Sequence, residues 1–210
     1  MGYFLYYPGM LLFIFDLLGT FAFAITGAVK ASRRGLDWFG IIVLALITGT
    51  GGGLIRDALL GNHPPLALST PTYVIVCISA AIFVMVAQKK ITSLWILVMI
   101  TDAIGLGVFT MIGAVISENA GAGGVAIVSL TVLTAVGGGI LRDVLAGEIP
   151  QVLKSDFYAT AALIGGLFFW IFGLCTSEYH VIKIAGTIAI TIILRLYAIY
   201  YISPQWRFPQ

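Results

Sequence analysis

Charge is what this sequence has least of. Eleven Lys and Arg and nine Asp and Glu make up 10% of its 210 residues, while 60% are hydrophobic. A soluble domain carries about 25% charged residues. Too few polar side chains remain to cover a globular surface, so lipid is the solvent this composition fits. No run of Lys or Arg occurs and the net charge is only +2, which leaves no footprint for nucleic acid. Cysteine is scarce too. Cys77 and Cys175 lie in separate apolar stretches with no C-x-x-C spacing, which excludes a disulfide framework or thiolate metal site and reads both as small core residues. The two histidines, His63 and His180, fall at helix ends without metal-ligand spacing. No nucleophile elbow or phosphate loop appears. Nothing points to an enzyme, a metal or a cofactor.

What the chain has in abundance is long apolar runs. Seven are long enough to cross a bilayer, which takes about 20 residues as a helix. They cover Met10 to Val29, Trp38 to Leu60, Pro71 to Ala87, Leu94 to Ile116, Gly124 to Leu145, Asp156 to Leu174 and Val181 to Ile202. The fold class expected is an all-α integral membrane protein with seven transmembrane helices in a single domain over 1–210. The first stretch carries Asp16 and runs a full span, which reads as a retained helix rather than a signal peptide. Ser69-Thr70-Pro71 and Lys154-Ser155-Asp156 have the character of helix starts. Lys30, Arg33, Arg34, Lys89, Lys90, Lys154 and Arg207 fall on one side of the membrane and little beyond Lys183 on the other. The positive-inside rule then places the N-terminus outside and the C-terminus in the cytoplasm.

The strongest organising signal is an internal repeat. A shift of 86 residues carries GTGGGLIRDALLGNHP (Gly49 to Pro64) onto AVGGGILRDVLAGEIP (Ala135 to Pro150) without a gap. It also pairs Asp16 with Asp102, Gly19 with Gly105 and Phe23 with Phe109, and gives 18 identities in 49 pairs between Asp16 and Pro64. Shared Gly, Arg, Asp and Pro in register are not a by-product of greasy composition. The shift takes the first span onto the fourth. Three spans is an odd number, so the second copy is expected to run the opposite way, as an inverted-topology repeat. Repeat one covers about 10–88, repeat two about 94–175, and a seventh helix, about 181–202, stands outside.

Three groups of residues are candidates for function. Gly51, Gly52 and Gly53, and their counterparts Gly137, Gly138 and Gly139, fall at mid-span. Each glycine costs about 1 kcal/mol in a helix interior relative to alanine. Triplets therefore predict a break or kink in helices two and five of the kind that marks transport sites; the alternative is close helix packing. Arg56-Asp57 and Arg142-Asp143 follow at identical spacing. Neighbours on a helix point about 100° apart, so each is expected to pair with another helix. They serve either a transport path or a structural ion pair. Asp16 and Asp102 lie deeper. They are expected either to meet Arg56, Arg142 or Arg195 from another helix or to give negative potential to a cation path.

With GGGLIRD and GGGILRD repeated 86 residues apart among seven spans, the chain resembles the trimeric intracellular cation (TRIC) channels, in their prokaryotic branch. The resemblance covers nearly the whole chain. It implies a homotrimer in membrane lipid, with one pore inside each protomer passing monovalent cations, chiefly potassium. It also implies that the second and fifth helices, kinked at their glycines, surround that pore with the first and fourth, so that Gly51 to Gly53 and Gly137 to Gly139 form its constriction. Animal members carry a lysine in the first glycine region, linked to lipid binding, and a basic C-terminal tail. Both are missing here, which favours a prokaryotic plasma membrane. Two further readings stand beside the channel: a carrier of small amino acids such as glycine, and a non-transporting scaffold whose glycines serve packing alone.

Overall fold

Glycine ends the first helix. Gly35 takes φ 71°, a left-handed turn open to a residue without Cβ. The Leu36 amide then bonds back to the Ala31 carbonyl at 3.1 Å. Gly61, Gly121 and Gly147 turn in the same way, at φ 72°, 73° and 70°. Gly35 pairs with Gly121, and Gly61 with Gly147, under the 86-residue shift. The repeat thus extends to the backbone conformation of its turns.

The computed structural model describes residues 9–91, 95–154, 157–175 and 180–202. Among these, all regular structure is helical. The long helices are α1 (Met10–Arg33), α2 (Trp38–Leu59), α3 (Pro71–Ile91), α4 (Trp95–Asn119), α5 (Gly124–Leu145), α6 (Ala159–Cys175) and α7 (His180–Tyr197). A π-helical turn, Ala198–Ile202, continues α7, and short turns at Leu66–Ser69 and Gln151–Leu153 lead into α3 and α6. Asp37 caps α2 by accepting the Gly40 amide at 2.7 Å. The helices α1, α2, α4, α5 and α7 are long and apolar enough to cross a membrane, and α3 and α6 give shorter apolar segments.

The expected spans coincide with these helices, with most ends differing by a few residues. Pro71 begins α3 as expected. Ser155, Asp156, Arg207 and the tail from Ser203 lie outside the described residues, as do the side chains of Lys89 and Lys90. One expectation is corrected in part: no break interrupts α2 or α5, which run as continuous α-helix through Gly51–Gly53 and Gly137–Gly139. The reason is the partner helix, described below.

Within the first three helices, α1 packs on α2 and α3, and α2 on α3. Among α4, α5 and α6 the same three contacts recur. The two triads meet through α1 against α4 and α2 against α5, the pairs that the 86-residue shift exchanges, while α7 lies against α4 and α6. The interior is mostly apolar but also holds charge, and the exterior is apolar too. Val86, Val125, Ile182 and Ile193 are exposed, while Asp16, Arg56, Asp102, Arg142, Lys183 and Arg195 are buried. Cys77 is a core residue as expected; Cys175 is exposed at the end of α6.

Candidate functional site

The site begins where α2 and α5 cross. A Cβ on Gly52 would overlap the Thr134 carbonyl, and one on Gly138 would overlap the Thr48 carbonyl. Thr48 and Thr134 are themselves 86 residues apart. On either side, a Cβ on Gly51 would lie 3.5 Å from the Gly138 Cα, and one on Gly137 would lie 3.2 Å from the Gly52 Cα. The triplets therefore bring two backbones together, and tight packing holds both helices continuous. Gly53 faces open space, with only Arg56 Nη2 at 3.6 Å from its would-be Cβ.

One turn further along, each Arg pairs with its own neighbour, which was not expected, while the second copy also meets the expected partners from other helices, Arg142 with Asp102 and Asp143 with Lys30. Arg56 donates to Asp57 Oδ1 through Nε at 2.9 Å and Nη2 at 2.8 Å. Arg142 Nε donates to Asp143 Oδ1 at 2.9 Å. A long guanidinium stem can fold back across the angle between adjacent residues. The other carboxylate oxygen bonds to backbone instead. Asp57 Oδ2 accepts the Leu66 amide at 3.0 Å, and Asp143 Oδ2 accepts the Gln151 amide at 2.8 Å. Each Asp thus ties the loop after its helix to a buried charge.

Asp102 meets a base from another helix as expected, accepting Arg142 Nη1 at 3.1 Å. The same Nη1 donates to Thr26 Oγ1 at 2.8 Å, and Tyr158 donates to Asp102 at 3.3 Å. Asp16 accepts the Tyr73 hydroxyl and shares a cavity with Arg56 and Asp57. Tyr73 and Tyr158 were not legible in the ungapped repeat, because the second copy is one residue shorter after Pro150 and the pair lies 85 residues apart. Arg195 lies over the Tyr158 ring, 4.4 Å from its centroid.

Two cavities flank the crossing. One has Asp16, Thr20, Gly53, Arg56, Asp57 and Tyr73 on its wall, with Phe109 beside them. The other has Thr26, Lys30, Arg33, Asp102, Arg142 and Arg195 on its wall. At the second, Lys30 reaches Asp143 at 3.1 Å and Glu148 at 2.5 Å, and Arg34 reaches Glu148 at 2.5 Å. Partial burial pushes the Glu148 carboxyl up, but bonds and charge from Lys30 and Arg34 outweigh it and hold the group below the usual carboxylate range. Lys183 pairs with Glu118 at 2.7 Å and lies 4.1 Å from the Phe169 ring centroid. Sequence reasoning missed Lys30, Glu148 and Glu118, because each partnership crosses between helices with no motif to mark it. Among the described residues no cluster of three His, Cys, Asp or Glu could hold a metal.

A helical bundle with an apolar exterior, buried ion pairs and polar-lined cavities is a multi-pass membrane protein. The family described as glycine transporter matches the chain twice, over residues 13–89 and 99–173. The UPF0126 inner membrane protein YadS of Escherichia coli strain K12 is 43% identical over 160 residues, 75% of this chain and 77% of the relative. The UPF0126 membrane protein YvgT of Bacillus subtilis is 35% identical over 155 residues, 73% and 77% respectively. Among solved structures, a prokaryotic TRIC channel in 0.5 M KCl aligns with a TM-score of 0.85 at 33% identity, covering 91% of this chain and 97% of that one. The TRIC trimeric intracellular cation channel orthologue from Rhodobacter sphaeroides gives 0.87 at 32%, covering 95% and 100%. The chain belongs to this family, the prokaryotic TRIC proteins that the curated relatives name UPF0126.

Proposed function

We propose that the chain is a potassium-permeable channel for monovalent cations, with its path inside the protomer along one face of α1. The observation that carries this reading is a stripe. Asp16, Thr20, Phe23, Thr26 and Lys30 follow at spacings of four, three, three and four residues, within an arc of about 120° on a 3.6-residue helix. Asp16 and Thr20 line one cavity, while Thr26 and Lys30 line the other. Buried oxygens near the midplane suit a cation that has shed part of its hydration shell. Similarity to solved proteins described as cation channels supports the same reading.

In this account α1 to α7 all span the membrane, and α1–α3 and α4–α6 are inverted-topology repeats. The shared packing pattern and the paired glycine turns support the repeat. Ion pairs support the alternation of directions: Lys30 and Asp143 bring together the C-terminal ends of α1 and α5, and Lys183 and Glu118 bring together the start of α7 and the end of α4. By the positive-inside rule, Lys30, Arg33 and Arg34 support a cytoplasmic side for the Asp102 cavity, with the N-terminus outside and the C-terminus inside. The protein acts as a homotrimer in the plasma membrane. Gly51–Gly53 and Gly137–Gly139 frame the path by bringing α2 and α5 together, and Gly53 borders the Asp16 cavity.

The carrier reading has one observation in its favour, the glycine transporter description of the matching family. Proteoliposomes loaded with potassium and assayed in parallel for radiolabelled glycine uptake separate the two. Potassium efflux that does not saturate and ignores glycine supports the channel. Saturable glycine uptake without potassium efflux replaces it with the carrier.

A further inference from the structure

Phe23 and Phe109 occupy the gap between the two cavities. We infer that this aromatic pair is the constriction of the path, an apolar plug whose side-chain volume sets the rate of permeation. The inference rests on the channel reading above, and it moves the narrow point from the glycine triplets to the rings.

Along the α1 stripe, every residue but one is polar. Thr20, on the wall of one cavity, and Thr26, on the wall of the other, are six residues apart, about 9 Å along the helix. Phe23 stands midway between them on the same face. Its ring meets that of Phe109 edge to face, with centroids 5.1 Å apart and an interplanar angle of 68°. Both are buried, at 1% and 4% exposure. The repeat exchanges the two residues, so the pair bridges the equivalent helices α1 and α4 where the two halves meet.

Glycines leave the rings their room. A Cβ on Gly105 would overlap the Phe23 ring, and one on Gly138 would sit 3.5 Å from Phe23 Cδ2. A Cβ on Gly19, the counterpart of Gly105, would sit 3.4 Å from Phe109 Cε1. Each ring therefore packs over a bare backbone on the facing helix as well as against the other ring.

Buried oxygens wait on either side of the plug. Thr20 Oγ1 lies in the Asp16 cavity wall and Asp102 Oδ2 in the other, and neither has a hydrogen-bond partner among the described residues. Unsatisfied buried oxygens are costly unless something polar visits them. A cation stepping between these two oxygens must pass the rings, and apolar rings exclude the water that would accompany it. A hydrophobic constriction of this kind gates by dewetting.

The test is potassium flux through proteoliposomes carrying Phe23→Ala, Phe109→Ala or both, with the assembly checked by size-exclusion chromatography. Each single change should raise flux severalfold, the double change more, and tetramethylammonium should begin to pass. Phe23→Trp should lower flux. Because alanine leaves a cavity in the bundle, Phe23→Leu and Phe109→Leu serve as milder versions, with smaller increases expected. If the wild-type protein conducts and the assembled Leu and Ala variants conduct at the same rate, the plug is refuted while the channel stands. If the wild type and all variants pass no potassium and the wild type takes up glycine, the channel reading falls and the plug with it.

Discussion

The Asp16 cavity and the Asp102 cavity are built from the same parts and carry different charge. Each has an Asp from the first helix of its triad, an Arg-Asp pair from the second, and a Tyr hydroxyl from the start of the third. Beyond these shared parts the ends diverge. The Asp102 side adds Lys30, Arg33 and Arg195 to its lining and gathers Arg34 and Glu148 at its mouth. The residues that the repeat sets opposite Lys30, Arg34 and Glu148 are Ile116, Ala120 and Asn62. The repeated residues are therefore those that hold two halves and their loops together, while the unrepeated ones give each end its own field. A cation meets a wall of two carboxylates and one arginine on one side, and on the other several bases already engaged with acids or an aromatic ring.

The hardest way to break the symmetry is at the crossing. Gly52→Leu and Gly138→Leu should each abolish the assembled peak in size-exclusion chromatography. The obstacle is a carbonyl oxygen rather than a flexible side chain, so the cost exceeds the about 1–3 kcal/mol usual for overpacking. The two should fail alike, and Gly53→Ala should assemble normally. Gly165→Leu should disturb assembly as well, since a Cβ there would run into Thr191 and sit 3.0 Å from Thr110 Cγ2. Assembled Gly52→Leu protein beside unassembled Gly138→Leu protein would show that the halves are not equivalent at their centre.

Next come the arginines. Removing one partner of a buried ion pair costs about 3–5 kcal/mol. Arg142→Met takes the guanidinium from two carboxylates, leaving Asp143 to Lys30 and Asp102 to the Tyr158 hydroxyl, and leaves Thr26 Oγ1 without its donor. It should lower the melting temperature in detergent clearly, as should Arg56→Met. An unchanged melting temperature for Arg142→Met would remove the ion pairs from the account of stability. Smaller effects are expected for Tyr158→Phe and Tyr73→Phe, at about 1.5–3 kcal/mol for a lost bond to a carboxylate. Equal losses from the two would sharpen the comparison.

The smallest effect belongs to the part that has no counterpart. Glu148→Gln should cost about 0–1 kcal/mol, since the group is partly exposed at a rim. Its carboxyl titrates below the usual range in the folded protein. Its contribution should therefore be full above the ordinary Glu value of about 4.3 and lost as pH falls through the lower folded value. Melting temperatures of wild type and Glu148→Gln should converge only in that acid window. A difference that persists unchanged into it would contradict the ion pairing.

Much of this was legible in the sequence, and the omissions share a physical cause. Helix positions, the doubled motif and the partnership of Asp102 with Arg142 follow from apolar length, an ungapped shift and the cost of a lone buried charge. The break expected at the glycine triplets is absent because helix propensity is a local quantity, while the close packing given as the alternative depends on the carbonyls of Thr48 and Thr134 on the facing helix. The pairing of each Arg with its own Asp was missed because the angle between adjacent Cβ atoms says little about a side chain as long as arginine's. Phe23 and Phe109 were visible as a repeated pair, but their contact depends on how α1 meets α4.

Recording from purified protein in a planar bilayer under a potassium gradient tests the central claim most directly. The account predicts discrete unitary currents that reverse near the potassium equilibrium potential and grow when Phe23 is replaced by alanine. A silent bilayer, from protein that in liposomes accumulates glycine to saturation, would contradict it.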